Sequence, residues 1–185
     1  MTRAEEGALV TQSITVKGND APGTARPKVT GQGDTFWEDL ELGHWLRGPG
    51  VTITDAHLVQ WAGLTGDWVS LHLDETYAAA AGFAGRIVHG PLSLSLSLGL
   101  LTQTGIFGNV TAWLGVDAVR AKAPVYIGDT IHPQAEVVLT RPASKPGQGI
   151  WTLEYSTVNQ RGVIAMTFRS SFMVRCRGTE ERGNG

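Results

Sequence analysis

Two residues that could do chemistry stand five positions apart, Asp67 and His72, in the segment Thr65–Asp74. A carboxylate and an imidazole that converge across a short loop can hold a water molecule between them. The imidazole titrates near neutral pH and the carboxylate can orient it or take a proton itself, so the pair suits general acid–base catalysis. The alternative is structural: Asp67 caps the loop and His72 is a hydrogen-bonded core histidine.

A second candidate lies in the segment Ile87–Pro91, where His89 and Gly90 precede a proline. Proline favours the first position of a helix, so a helix can begin here. The Gly90 N–H would then be an unpaired donor at the positive end of the helix dipole. Such a donor can bind a carbonyl oxygen that gains negative charge in a transition state. An acid–base pair and an oxyanion donor are what adding water to a conjugated thioester requires, although His89 could be purely structural.

Helices are predicted on both sides of the acid–base pair. Thr54 or Asp55 can cap a helix that runs from Ala56 to about Leu64. A second short helix fits Asp74–Ala81, which is rich in alanine. Four later segments, separated by turn residues, predict an antiparallel meander: Val110–Ala123, Asp129–Arg141, Gly149–Gln160 and Val163–Val174. Helices followed by strands indicate the α+β class.

The apolar stretch Pro91–Leu101 is ambiguous on its residues alone. Strict alternation of leucine and serine is a strand pattern. Against that, Gly90 followed by Pro91 favours a helix opening. On a helix the leucines would cover every side, which is typical of a helix buried all round. Both interpretations stay open at this point.

The composition excludes several classes of protein. The chain has 185 residues, of which 42% are hydrophobic, and a net charge of −2. It therefore has enough apolar material for a core, but no basic surface for nucleic acid or an anionic membrane. A single cysteine excludes a disulfide framework and a multi-cysteine zinc site. The longest apolar stretch is too short to cross a bilayer and the N-terminus does not resemble a signal peptide, so we expect a cytoplasmic protein.

Domain boundaries follow from the turn-rich ends. We predict a flexible or loosely docked arm over residues 1–33, with one possible strand at Leu9–Val16. A single domain is predicted over 34–177, and a disordered tail over 178–185.

Several short motifs follow one another along this domain. They are Thr65-Gly66-Asp67-x-x-x-x-His72-x-Asp74, Tyr77-Ala78-Ala79, Gly82-Phe83, Arg86-Ile87-Val88-His89-Gly90 and Pro124-Val125-x-x-Gly128-Asp129. Their order and spacing resemble the MaoC-like dehydratases, or (R)-specific enoyl-CoA hydratases. The resemblance covers about residues 36–176.

The resemblance implies a hot-dog fold, in which a long antiparallel sheet wraps around a central, mostly buried helix. It assigns the stretch from Pro91 to about Thr104 to that helix, against the local strand pattern. It also implies a homodimer, or a larger assembly of dimers, with sheets joined edge to edge.

For function, the resemblance implies a hydratase or dehydratase that interconverts a trans-2-enoyl thioester and an (R)-3-hydroxyacyl thioester. Asp67 and His72 would be the catalytic dyad, and the Gly90 N–H would be the oxyanion donor. The acyl chain would be buried along the central helix, while coenzyme A or an acyl-carrier phosphopantetheine stays outside. No metal or redox cofactor is implied.

The loop between the dyad residues departs from the family pattern Asp-x-Asn-Pro-x-His. Val69 stands in place of the Asn and Ser70 in place of the Pro, which changes the hydrogen bonding and the stiffness of the loop. Trp68 could line the acyl pocket or pack against the first helix. The residues that could line the pocket or support the dyad are Trp68, Val69, His89, Ser95 and Ser97.

Two other functions are compatible with the same fold, because function resides in the site. A hot-dog thioesterase would act on the same class of substrate, although the spacing of Asp67 and His72 followed by His89-Gly90 favours a hydratase. A non-catalytic subunit of a hot-dog heterodimer would account for the missing Asn, and the N-terminal arm could then contact the partner.

Overall fold

The computed structural model describes residues 35–178. The expectations for the N-terminal arm, including a strand at Leu9–Val16, and for the tail beyond its first residue lie outside this range. After a 3₁₀ turn at Trp37–Asp39, the helices are α1 (Asp55–Thr65), α2 (Ser70–Leu73), α3 (Glu75–Ala80) and α4 (Gly90–Thr102). The strands are β1 (Trp45–Arg47), β2 (Val51–Thr52), β3 (Val110–Ala121), β4 (Thr130–Pro142), β5 (Gln148–Asn159) and β6 (Ile164–Arg175). Within residues 35–178, no helix has the length and apolar character needed to cross a membrane.

The six strands form one antiparallel sheet in the order β1-β4-β5-β6-β3, with β2 also paired to β4. The predicted meander is correct for β4, β5 and β6 but wrong for β3, which pairs with β6 at the far edge. A strand has two edges, and those of β4 are filled by β5 on one side and by β1 and β2 on the other. The link from β3 to β4 is therefore a crossover and not a hairpin.

Helix α4 is the central helix that the resemblance implies. It contacts β4 and β5, and Leu101 is fully buried in a core cluster with Trp151 and Tyr155. The leucine–serine alternation does not produce a strand here. A helix pairs its own backbone groups and can be buried against the sheet, whereas an added strand in that position would leave polar backbone groups unpaired. Helices packed against an antiparallel sheet confirm the α+β class.

The predicted helices before α4 are also present. Thr54 precedes α1, and its backbone N–H donates to His57 Nδ1 at 3.0 Å. Asp74 is the N-cap of α3, because its carboxylate accepts a hydrogen bond from the Tyr77 N–H at 3.1 Å. The Asp74 cap fixes the point where the segment that carries the dyad residues enters α3.

Candidate active site

Asp67 is positioned by the end of α1. Gly66 ends the helix in the left-handed region, with φ of 78°, and its N–H donates to the Ala62 carbonyl at 2.8 Å. This conformation favours glycine. The Asp67 N–H then lies 3.3 Å from Thr65 Oγ1 and donates to it. Two hydrogen bonds, one to a backbone carbonyl and one to a side-chain hydroxyl, thus fix the backbone position of Asp67 at the end of α1.

His72 lies on the short helix α2, and its ring is anchored to the segment before α4. Its Nδ1 is 2.7 Å from the Ile87 carbonyl oxygen. A carbonyl oxygen can only accept, so Nδ1 carries the hydrogen and donates it. In the neutral ring, Nε2 then has a free lone pair. His72 is therefore oriented as a proton acceptor by Ile87, and Asp67 does not orient it through Nδ1.

The predicted dyad residues come together, and a third residue joins them. Side-chain ligand atoms of Asp67, His72 and His89 all lie within 4.8 Å of one another. His89 is fully buried, and its Nε2 is 3.1 Å from the Asp67 carbonyl oxygen. Its ring stacks on the ring of His72, with centroids 3.9 Å apart and an angle of 27° between the planes. The three side chains form one compact cluster.

The charge state of His89 follows from this environment. Burial lowers the pKa of the His89 imidazole, and the neighbouring His72 ring acts in the same direction. The hydrogen bond to the Asp67 backbone and the Asp67 charge oppose this shift but do not outweigh it. Because its pKa falls below the ordinary 6.5, His89 is neutral at neutral pH.

An aspartate and two histidines can also bind a metal ion if their ligand atoms converge on one point. Imidazole lone pairs lie in the ring plane, and a metal ion would sit about 2.1 Å from each ligand nitrogen. Two nearly parallel rings 3.9 Å apart direct their lone pairs side by side. The arrangement fits a hydrogen-bonded water better than a shared metal ion.

A cavity of about 330 Å³ opens beside the His72 ring. Asp67 is not among the residues that line it. The polar part of the lining includes His72, Gly90, Ser93 and Lys122, and the apolar part includes Phe83, Val125 and Met166. An apolar chain ending in a polar group could therefore lie with that group against His72 and Gly90.

Gly90 supplies the open N–H at this cavity. It is the first residue of α4, where a backbone N–H has no partner within the helix. A methyl group added at Gly90 would find Met166 Cε as its nearest neighbour, at 3.9 Å, which is ordinary contact. Packing therefore does not require glycine here. The lack of a side chain leaves the amide open to the cavity.

The central helix turns one serine toward the cavity, and it is one that sequence reasoning missed. Ser93 lines the cavity and is buried, whereas Ser95 is exposed to solvent. Ser97 is fully buried, and its Oγ hydrogen bonds to Thr157 Oγ1 at 2.7 Å. The signal for Ser93 was its spacing from Gly90, since residues three apart share a helix face.

Trp68 and Val69, on the loop between the dyad residues, face solvent. Their exposed fractions are 59% and 55%. Neither lines the cavity beside His72. In the single chain, the position that holds Asn in the family pattern is therefore an exposed apolar side chain.

Comparison with known proteins gives the family. A model of the MaoC like domain matches residues 42–159, more than half of the chain. The (R)-specific enoyl-CoA hydratase of Aeromonas caviae is 38% identical over 112 residues, which cover 60% of this chain and 79% of that protein. Protein MaoC of Klebsiella aerogenes is 36% identical over 97 residues, which cover 52% of this chain but only 29% of that longer protein.

A solved structure gives the fold its name. A Mycobacterium tuberculosis protein with a double hotdog fold matches with a TM-score of 0.71 and 25% identity, covering 82% of this chain and 47% of that one. Together with the sheet packed against α4, this confirms the hot-dog fold. With a family model that spans more than half of its length, the chain belongs to the MaoC-like family.

Proposed function

We propose that this protein is a hydratase and dehydratase that interconverts a trans-2-enoyl thioester and an (R)-3-hydroxyacyl thioester. One observation carries the proposal: His72, which belongs to the cluster with Asp67 and His89, lines one largely apolar cavity together with Gly90 at the open N-terminus of α4. The relative from Aeromonas caviae, named (R)-specific enoyl-CoA hydratase, supports the reaction and the (R) configuration.

The reaction begins with a water molecule held between the Asp67 carboxylate and His72 Nε2. His72 takes one proton from the water while the water oxygen bonds to C3 of the enoyl group. The C2–C3 double-bond electrons move toward the thioester, and its carbonyl oxygen gains negative charge that the Gly90 N–H stabilises. The dyad then returns a proton to C2, so the net change is the addition of one water. Dehydration reverses these steps.

The substrate would place its acyl chain in the apolar part of the cavity along α4. Val125 and Met166 are nearly fully buried there and provide the apolar surface. The carrier, coenzyme A or an acyl-carrier phosphopantetheine, would remain outside. A cytoplasmic location stays a prediction from the sequence.

We also propose that the working unit is a dimer, or an assembly of dimers. Among the described strands, β3 pairs only with β6 and lies at the edge of the sheet. It exposes the large apolar side chains of Trp113, Leu114 and Val119. Its last residue, Ala121, lines the cavity, so a second copy paired to β3 would lie next to the site. The double hotdog relative supports this arrangement, because this chain matches about half of it.

The test is hydration of a panel of enoyl-CoA thioesters of varied chain length. The conjugated absorbance should disappear, and chiral chromatography should give the (R) alcohol. Asp67→Asn and His72→Ala should each abolish turnover while circular dichroism shows a folded protein. An (S) product, or full turnover in both variants, contradicts the proposal, and release of free thiol indicates a thioesterase instead.

One observation favours a second candidate function. Val69 is an exposed apolar residue where the family pattern has a hydrogen-bonding Asn. A non-catalytic subunit of a heterodimer would tolerate that change. This candidate predicts that the purified chain is inactive and that adding a second hot-dog chain restores turnover.

A further inference from the structure

We propose that His89 is a positioning residue, whose ring holds the Asp67 backbone with one edge and supports the His72 ring with one face. This inference rests on the proposed function, because the positioning matters if Asp67 and His72 act together. No step of the mechanism uses His89 itself.

The hydrogen bond to Asp67 fixes the tautomer of His89. Its Nε2 lies 3.1 Å from a carbonyl oxygen, so Nε2 carries the hydrogen and donates it. Nδ1 is buried and has no hydrogen-bond partner among the described residues. A second proton on Nδ1 would place a charge and a donor where no acceptor is available. The ring is therefore held in one neutral form.

The same ring contacts both members of the dyad. It reaches Asp67 through a hydrogen bond and His72 through face-to-face stacking, with centroids 3.9 Å apart. His89 is fully buried, so it cannot move without displacing its neighbours. The distance between the Asp67 loop and the His72 ring thus depends on a side chain that belongs to neither.

The position of His89 in the chain extends this control to the oxyanion donor. Ile87 holds His72 Nδ1, His89 holds Asp67, and Gly90 presents its N–H to the cavity. The adjacent Val88 N–H donates to the Val125 carbonyl at 2.8 Å, which ties the segment to the crossover. One short stretch of backbone therefore sets the relative positions of the dyad and the donor. Within residues 87–90, the side chain that contacts both dyad residues is that of His89.

Two substitutions of His89 separate the contribution of its hydrogen-bond donor from that of its ring face. His89→Gln keeps an amide N–H that can reach the Asp67 carbonyl, and His89→Phe keeps a planar ring without a donor. We expect His89→Phe to lower kcat about 10- to 100-fold with KM within about twofold of wild type, because the loss falls on alignment. His89→Gln should recover most of that kcat. His44→Phe is the control, because His44 is likewise tied to the backbone, with Nδ1 accepting a hydrogen bond from the Glu41 N–H, but lies outside the site.

The outcomes separate positioning from plain stability. A lower melting temperature with unchanged kcat in folded His89→Phe overturns the proposal, as does wild-type kcat in both the Gln and the Phe variant. If the variants do not fold, the wild type still gives a test by nitrogen NMR of its histidine rings. The expected spectrum has His89 neutral with hydrogen on Nε2 and His72 with hydrogen on Nδ1. A charged His89 at neutral pH, or hydrogen on its Nδ1, overturns the proposal.

Failure of the proposed function gives a different result. In that case wild type hydrates no enoyl thioester, yet His89→Phe should still shift the ring-nitrogen signals of His72, because the stacking partner and the Asp67 anchor have changed. An unchanged His72 spectrum in folded His89→Phe contradicts the positioning role, whatever the substrate is.

Discussion

The segment 65–90 and the core of the sheet are stabilised in different ways. On the inner face of the sheet, Trp151, Leu153 and Tyr155 have no exposed surface and are held by apolar burial. In the segment 65–90, α2 and α3 have only four and six residues, too few to be stable helices alone. Bonds from side chains to backbone hold the site instead, such as those of His72 and His89. Activity and stability should therefore depend on different residues.

The largest expected effect concerns the segment 65–90, where a substitution should change activity more than stability. His72→Ala should lower kcat by about 10²- to 10⁴-fold, the usual contribution of a general acid–base group. The free energy of unfolding should change by less than about 1 kcal/mol, since His72 is only half-buried. Asp67→Asn keeps the side-chain shape, so a loss of turnover in that variant cannot be attributed to lost packing. Turnover assays and urea unfolding measure both quantities, and a large loss of stability without a loss of kcat would contradict the comparison.

Trp151→Ala tests the core side. Trp151 is fully buried, and its Nε1–H donates to the Trp37 carbonyl at 3.0 Å. The substitution should lower the free energy of unfolding by about 3–5 kcal/mol, while kcat per folded molecule stays near wild type. Trp68→Ala is the control, because Trp68 is 59% exposed and should change stability by less than about 0.5 kcal/mol. An equal loss in the free energy of unfolding in the two variants would show that burial does not distinguish the two tryptophans.

Gly90→Ala sharpens the comparison, because activity and stability should move in opposite directions. Alanine favours a helix over glycine by up to about 1 kcal/mol, and the added methyl meets only Met166 Cε at 3.9 Å. The same methyl lies beside the N–H that would bind the thioester oxygen. We expect unchanged or higher thermal stability with kcat lowered about 10- to 100-fold. Wild-type kcat in this variant would contradict the role of Gly90.

Ser97→Ala should affect stability and leave the chemistry unchanged. Its Oγ pairs with Thr157 Oγ1 at 2.7 Å, and both residues are fully buried. Removing one partner leaves the Thr157 hydroxyl unpaired, at a cost of about 1–3 kcal/mol. Ser95→Ala is the matched control on the exposed side of α4 and should not destabilise the protein. A large fall in kcat for Ser97→Ala would instead place Ser97 in the site.

The smallest effect is a pH dependence of stability. Burial lowers the pKa values of His89 and His132 from 6.5 in the folded protein, with Arg47 adding to the effect at His132. Below pH 6.5 the unfolded chain therefore binds more protons than the folded one, and the free energy of unfolding falls as pH falls. Each ring contributes at most about 1.4 kcal/mol per pH unit. Urea titrations of His89→Gln and His132→Gln should show flatter slopes, and wild-type slopes in both would be inconsistent with these shifts.

Much of the fold could be predicted because its signals are local. The ends of α1, and of β4, β5 and β6, lie within a few residues of their turn and cap signals. The central helix could not be predicted from its residues, because the leucine–serine alternation of Pro91–Leu101 fits a strand. Burial against the sheet decides the outcome there. The pairing of β3 was mispredicted for a similar reason, since the edges of β4 are filled by strands far away in sequence.

The site was predictable in part. Asp67, His72 and Gly90 stood out by residue type and spacing, and the structure brings the first two together and places Gly90 on the cavity beside His72. The role of Ile87 could not be inferred, because a backbone carbonyl leaves no mark on the sequence. The apolar lining from Met166 comes from β6, far along the chain, and only the folded sheet brings it to α4.

One measurement tests the central claim most directly: turnover of crotonyl-CoA in water labelled with a heavy oxygen isotope, followed by mass spectrometry of the product. The account predicts that the label appears on the C3 hydroxyl of an intact thioester, in the (R) alcohol, and that His72→Ala gives no labelled product. Label in a free carboxylate, or label at C3 at the wild-type rate in His72→Ala, would contradict it.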